Sequence, residues 1–239
     1  MSGKTDRKVA IVTGGSQGSG AGIVEGYRHH DWAVVATART ITRAADPAFL
    51  AVAGDLSDPS TADRIVDETL GTFGRIDTLI NNAGIYVSKP FVEYTADDYA
   101  AVIGVNLTGF FRVTQLAIAH MLERGTGHIV NITTTLVDVA DSSAPSALTA
   151  LTKGGLAAAT RSLAVEYASR GIRVNAVSPG VIQTPVHPAE SYADLGTQLP
   201  PLGHVGQVSD IVGAILFLES SPFVTGEILH VDGGQIAGH

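Results

Sequence analysis

Val9-Ala10-Ile11-Val12-Thr13-Gly14-Gly15-Ser16-Gln17-Gly18-Ser19-Gly20 joins a short β-branched run to a glycine-rich turn near the start of the chain. The run has the length and residue types of a buried strand, and a helical pattern opens at Gly20. Without Cβ atoms, Gly14, Gly18 and Gly20 allow a tight turn and let the backbone approach a pyrophosphate, which then sits at the positive end of the helix dipole. An ordinary glycine-rich turn is the plainer alternative. The strand before it and the helix after it favour dinucleotide binding, with Ser16 and Gln17 in the same turn as further candidate contacts.

Outward from this unit, short β-branched runs alternate with longer segments of helical period. Strands are expected at Val9–Thr13, Ala33–Thr37, Phe49–Ala53, Thr78–Asn81, His128–Ile132, Arg173–Val177 and Ile228–Val231. Helices are expected at Gly20–His30, Ser60–Phe73, in two segments between Thr95 and Arg124, and at Ala147–Arg170 and Ser209–Leu218. This alternation predicts a doubly wound α/β fold of Rossmann type, a seven-stranded parallel sheet with helices on both faces. No repeat, linker or low-complexity tract divides residues 1–239, so one domain is expected. The stretch from about 183 to 206 is rich in Pro, Gly and His and lacks a clear period, which marks it as a substrate lid.

Composition narrows the function classes. At 239 residues and 45% hydrophobic, the chain can bury a sizeable core. Fifteen Lys+Arg against 23 Asp+Glu give a net charge of −8, which opposes attraction to nucleic acid or anionic lipid. The lack of cysteine excludes disulfides and thiolate metal sites and fits a reducing compartment. No metal site is expected. Met1 to Lys8 is polar and charged, and the apolar run Ile211 to Leu218 is too short to span a bilayer, so the expectation is a cytoplasmic protein with a small-molecule substrate and no membrane partner.

Further motifs follow in order. Asn81-Asn82-Ala83-Gly84 lies directly after the fourth expected strand, near the carboxyl edge where doubly wound sheets bind ligands. Asn106 stands in Val105-Asn106-Leu107-Thr108-Gly109, the fifth strand ends in Asn131-Ile132-Thr133-Thr134, and Lys153 stands in Leu151-Thr152-Lys153-Gly154-Gly155. Asn175-Ala176-Val177-Ser178-Pro179-Gly180-Val181-Ile182-Gln183-Thr184-Pro185 comes next, then Val224-Thr225-Gly226-Glu227 and Val231-Asp232-Gly233-Gly234. From Lys8 to Gly234 these motifs together resemble the short-chain dehydrogenase/reductase family. The resemblance implies that the glycine turn holds the pyrophosphate, that Asp55 with Leu56 meets adenine, and that Asn82, Ala83 and Gly84 support sheet and cofactor. It also implies that Lys153 grips the nicotinamide ribose and that Pro179, Gly180, Ile182 and Thr184 serve the nicotinamide end, with Thr184 bonding the carboxamide. The family commonly pairs long helices into homo-oligomers, here through Leu107–Arg124 and Ala147–Arg170, which makes a tetramer the expectation with Leu116, Ala117 and Leu163 as partner-facing candidates.

Cofactor choice turns on the end of the second strand, where a carboxylate would bond two free ribose hydroxyls and repel a 2′-phosphate. Ala38 occupies that position and Arg39 follows, whose planar guanidinium can pair with a phosphate. NADP(H) is the expected cofactor, with NAD(H) possible. A solvated surface charge is the alternative reading of Arg39, and Gln17 stands where such family members often carry another basic residue.

The catalytic positions depart from the family pattern. A tyrosine usually stands four residues before the lysine, but here Thr149 does, and no tyrosine occurs between Tyr99 and Tyr167. Thr134 matches the family's serine, which polarises the substrate carbonyl, and the loop from Thr134 to Thr149 is about two residues longer than the family spacing. An aliphatic hydroxyl ionises far above the phenol value of about 10, so Thr149 is a poor general acid. Other candidates for the acid are Tyr86, His187, Tyr192, Asp138, Asp141, or a water between Lys153 and Asn106; each also reads as a surface or packing residue. Two functions remain open: an oxidoreductase moving hydride to or from a small carbonyl, alcohol or C=N substrate, served by Asn106, Thr134, Thr149 and Lys153, or a dinucleotide-binding protein with little turnover, acting as a sensor or assembly subunit.

Overall fold

The computed structural model describes residues 6–42, 44–184 and 200–238. Strands β1 (Val9–Thr13), β2 (Ala33–Ala38), β3 (Phe49–Ala53), β4 (Thr78–Asn81), β5 (Gly127–Ile132), β6 (Ile172–Pro179) and β9 (Ile228–Val231) form one sheet in the order β3-β2-β1-β4-β5-β6-β9. Every pairing is parallel, with Ile11 opposite Val35 on one side and Leu79 on the other. The order reverses between β1 and β4. In such sheets the ligand crevice lies beyond the carboxyl ends of the two strands where the order reverses.

Side chains of one strand alternate between two cores, which is why the runs read as continuously apolar. Val9 and Ile11 join Ile65, Phe73, Val113 and Met121 on the side of α2 (Pro59–Phe73), α4 (Phe110–Arg124) and α5 (Ala147–Tyr167). Ala10 and Val12 join Ile23, Tyr27, Ile211 and Ile215 on the side of α1 (Gly18–His29) and α6 (Val208–Ser220). Expected and observed strands of this large sheet agree in number and place, and α5 ends in a 3-10 turn at Ala168–Arg170.

Three features differ from the sequence expectation. First, α3 (Ala96–Ile103) and α4 are not separate segments: the π-helical turn Gly104–Gly109 joins them into a helix of 29 residues, long and apolar enough by length and composition to cross a membrane. Here its Val113, Ala117, Ile118 and Met121 face the sheet core. Second, Ala117 is buried in that core and cannot face a partner, whereas Leu116 and Leu163 pack against the core and stay half-buried. Third, β7 (Ile182–Gln183) pairs with β8 (Gly206–Gln207). This two-residue ribbon closes the base of the expected lid, whose residues 185–199 lie outside the described residues.

Candidate functional site

The glycine turn is held by the end of β4. Thr13 Oγ1 donates to the Ile80 carbonyl at 3.2 Å and accepts from the backbone N–H of Asn82 and of Ala83, both at 3.0 Å. Asn82 Nδ2 donates back to the Thr13 carbonyl at 2.9 Å and to that of Gly14 at 3.2 Å. Gly14 and Gly18 have φ of 67° and 54°, in the left-handed region that only glycine enters freely. A Cβ on Gly20 would sit on the Gly14 carbonyl oxygen. A bare, backbone-lined concavity at the start of α1 is therefore built into the turn, as a pyrophosphate needs.

From this turn a cleft of about 630 Å³ runs over the sheet edge past Ser16, Gln17, Arg39, Asp55 and Leu56, and Thr184 closes it from the far side. A Cβ on Gly18 would meet the Thr184 methyl at 3.6 Å, so the chain just after β7 passes directly over the turn. Asp55 Oδ1 accepts from Ser57 N–H at 2.9 Å and Ser57 Oγ at 2.8 Å. These bonds, with the nearby Arg39 charge, hold its carboxyl below the ordinary range.

A second cleft, of about 500 Å³, meets the first at Ser19, Asn82, Gly84 and Ile85. It holds Thr134, Thr149, Lys153, Pro179, Gly180 and Ile182. Lys153 and Thr149 stand one helical turn apart on α5 and share a face. Lys153 is buried, and its Nζ donates to the Ile132 carbonyl at 2.7 Å. Desolvation, with no carboxylate to offset it, lowers its pKa to about 8. Thr149 is 4% exposed, and its hydroxyl has no hydrogen-bond partner among the described residues. Buried hydroxyls are nearly always satisfied, so this one is an exception, set in the wall of the cleft. Thr134 lies at the head of the 3-10 turn Thr135–Val137, where its Oγ1 accepts from Leu136 N–H at 3.3 Å.

Asn106 is placed behind the clefts. Its Nδ2 donates to the Ile85 carbonyl at 3.0 Å and to Thr152 Oγ1 at 3.1 Å, while its Oδ1 accepts from Ile85 N–H at 2.8 Å. The side chain thus fixes the turn after Gly84 to α5, and it lines neither cleft. Of the alternative acids, Asp141 and Tyr86 line the second cleft, whereas Asp138 turns away to His230 at 3.2 Å. The Asp141 carboxyl accepts from Ser143 Oγ at 2.6 Å and Ser143 N–H at 2.8 Å, which lowers its pKa and keeps it ionised. His187 and Tyr192 lie outside the described residues. The lengthened loop is docked: Lys89 N–H and Ser88 Oγ both donate to the Pro145 carbonyl, at 3.0 and 3.1 Å.

Gln235 and Thr135, both in the second cleft, escape the sequence reading. Gln235 lines the second cleft, and its Oε1 accepts from Thr135 Oγ1 at 3.2 Å. The Val231-Asp232-Gly233-Gly234 motif marks the chain just before Gln235, but nothing local reveals a contact across 100 positions.

Paired clefts at the carboxyl edge of a doubly wound sheet, joined at a glycine turn, define a dinucleotide-binding α/β protein. Comparison with known proteins narrows this class. A family model described as enoyl-(acyl carrier protein) reductase matches residues 15–235. The 3beta-hydroxysteroid dehydrogenase 1 of Eggerthella lenta is 37% identical, over 95% of this chain and 93% of that one. The 3-oxoacyl-[acyl-carrier-protein] reductase FabG of Thermotoga maritima is 32% identical, over 98% and 99%. Among solved structures, ElxO with NADP bound superposes with a TM-score of 0.88 at 28% identity, over 97% of this chain and 100% of that one. A short-chain type dehydrogenase/reductase from Mycobacterium marinum gives a TM-score of 0.88 at 27% identity, over 97% and 96%. The chain belongs to the short-chain dehydrogenase/reductase family and is an oxidoreductase of that type.

Proposed function

We propose that the protein is an NADP(H)-dependent oxidoreductase acting on a small carbonyl or alcohol, or on a C=N substrate, through an active site that works without the family's tyrosine. The observation that carries this reading is the junction of the two clefts at Gly84, with Lys153 and Thr149 in the wall of the second. When bound, the nicotinamide supplies or accepts the hydride. The chain's residues bind and orient: the Gly14–Gly20 turn takes the pyrophosphate, Asp55 and Leu56 the adenine, Arg39 the 2′-phosphate, and Lys153 the nicotinamide ribose. Pro179, Gly180, Ile182 and Thr184 bound the nicotinamide end, and Thr134 and Thr149 present hydroxyls to the substrate. Asn106 is a positioning residue that holds the Ile85 backbone. The stretch from about 183 to 206 serves as the substrate lid in this reading.

A screen of ketones, aldehydes and imines, read as NADPH consumption at 340 nm, tests the proposal; turnover of at least one class is expected. The second reading, a dinucleotide-binding protein with little turnover, is favoured by the lack of a phenol at Thr149. Tight NADPH binding with no turnover across the screen would establish it in place of the first. We place either protein in the cytoplasm.

A further inference from the structure

Loss of the tyrosine leaves open which group gives the substrate its proton. Three groups lining the second cleft titrate: Tyr86, Asp141 and Lys153, among the described residues. Asp141 is kept ionised by Ser143 and has no proton to give near neutral pH. Tyr86 is an exposed side chain whose hydroxyl lies 3.4 Å from Ser146 Oγ, out on the docked loop. The threonine hydroxyls ionise far above 10.

Lys153 differs from all of these in place and in chemistry. A Cβ on Gly84 would stand 3.1 Å from Nζ, which puts the ammonium against bare backbone at one of the residues the two clefts share. Its one hydrogen bond among the described residues, to Ile132, uses one of three N–H groups. Every element around it presents an uncharged group: the Ile132 carbonyl from β5, the Gly84 backbone from the turn, the Asn106 amide from the π turn, and Thr149 on α5 itself. Asp141 and Tyr86 face the same cleft from the loop and from the turn's far side, but neither contributes to the depression of the lysine's pKa, which has burial as its cause. Nothing larger than a threonine stands in the preceding turn on that face.

We propose that Lys153 Nζ is itself the proton donor of this active site. This rests on the oxidoreductase reading above. With hydride supplied to the carbonyl carbon, the C=O π pair moves to oxygen, and that oxygen takes a proton from the ammonium. Lysine is left as the neutral amine, and solvent entering the open cleft reprotonates it. In alcohol oxidation the neutral amine takes the hydroxyl proton. A pKa of about 8 suits this exchange, since a general acid works best near the operating pH.

Two measurements test it. In the unliganded protein, carbon-13 NMR of labelled lysine should show Lys153 titrating near 8, about 2 units below the ordinary lysine value of about 10.4; titration with the surface lysines overturns the proposal. In single turnovers of NADPH with an activated ketone, the rate should fall about tenfold per pH unit above about 8. Lys153→Arg should bind NADPH by fluorescence yet lose that inflection, and Lys153→Ala should be rescued by small primary amines in the order of their pKa values. An inflection near 6.5, as for a lid histidine, one that persists in Lys153→Arg, or one that disappears in Tyr86→Phe overturns the assignment while leaving the oxidoreductase reading intact. NADPH binding with no hydride transfer to any carbonyl overturns both.

Discussion

Ala38 closes β2 where a carboxylate would repel a phosphate, and Arg39 follows it into the first cleft, which also holds the ionised Asp55. A charge-assisted bond to a 2′-phosphate is worth about 1.5–3 kcal/mol, so Arg39→Ala should weaken NADPH binding roughly 10- to 100-fold and leave NADH binding nearly unchanged. Fluorescence titration of both cofactors measures this, and equal affinities in the unmodified protein would refute the phosphate role. Position 149 supplies a second test. Thr149→Tyr should raise the rate toward simple ketones about 10²- to 10⁴-fold, because a placed phenol beside the Lys153 ammonium restores the family's acid. The phenol must reach into the 500 Å³ cleft past the docked loop, and a misplacement of about 1 Å can cost about 100-fold. Loss of a natural activity in that variant would mean that the threonine makes room for the substrate. Gly14, Lys153 and the Thr149 departure were legible because each sits in a local motif. Gln235 was not, since its place depends on a contact to Thr135 made by the tertiary fold.

Periodicity located every strand of the large sheet, because parallel strands buried on both faces leave unbroken apolar runs between turns. It could not find β7 and β8, two residues each and far apart in sequence, nor the π turn, which shows no period of its own. Nor can it separate core from contact surface on the long helices, since both carry apolar residues at the same spacing. On α4 and α5 the large apolar residues left outside are Phe111 at 65% exposure, Leu151 at 62% and Val165 at 83%. Exposed apolar residues on neighbouring helices are the kind of surface that a second copy covers. We therefore expect a homo-oligomer, a tetramer, assembled through these faces, and Phe111→Glu with Val165→Glu should shift it toward smaller species. Light scattering at micromolar concentration reads the mass, and a monomeric unmodified protein would sink the expectation.

At the scale of the molecule, the edge opposite the clefts carries a buried polar network that ties β4, β5 and β6 to α1 and α6. Glu219 Oε2 accepts from His128 Nδ1 at 2.9 Å, Thr78 Oγ1 at 2.9 Å and Tyr27 OH at 3.1 Å. His128 Nε2 faces two donors, Asn175 Nδ2 at 3.2 Å and an Arg173 guanidinium nitrogen at 3.4 Å. Asn175 cannot turn over, because its Nδ2 also donates to Val224 and its Oδ1 accepts from Glu227 N–H. Nε2 must then accept, so His128 is neutral with its proton on Nδ1. Burial, aided by the Arg173 charge, lowers its pKa below the ordinary value in spite of Glu219. Burial alone would raise the Glu219 carboxyl, but the bonds it receives, that from His128 foremost, hold it low. The unfolded chain takes up a proton at His128 from about pH 6.5 downward while the folded chain does not, so stability is complete above that pH and falls as pH drops through the window below it. Glu219 adds a loss of the same sign at lower pH. One proton of difference is worth about 1.4 kcal/mol per pH unit, or roughly 3–6 °C in Tm for a chain of this length. Lys153 acts at the other end: its depressed pKa makes stability rise between about 8 and the ordinary lysine range, as the fold sheds a buried charge that the unfolded chain keeps. Thermal melts from pH 4.5 to 7.5 should show the acid slope in the native protein and a shallower one in His128→Gln, which removes the titrating ring. Equal slopes in the two proteins would show that the acid sensitivity arises elsewhere.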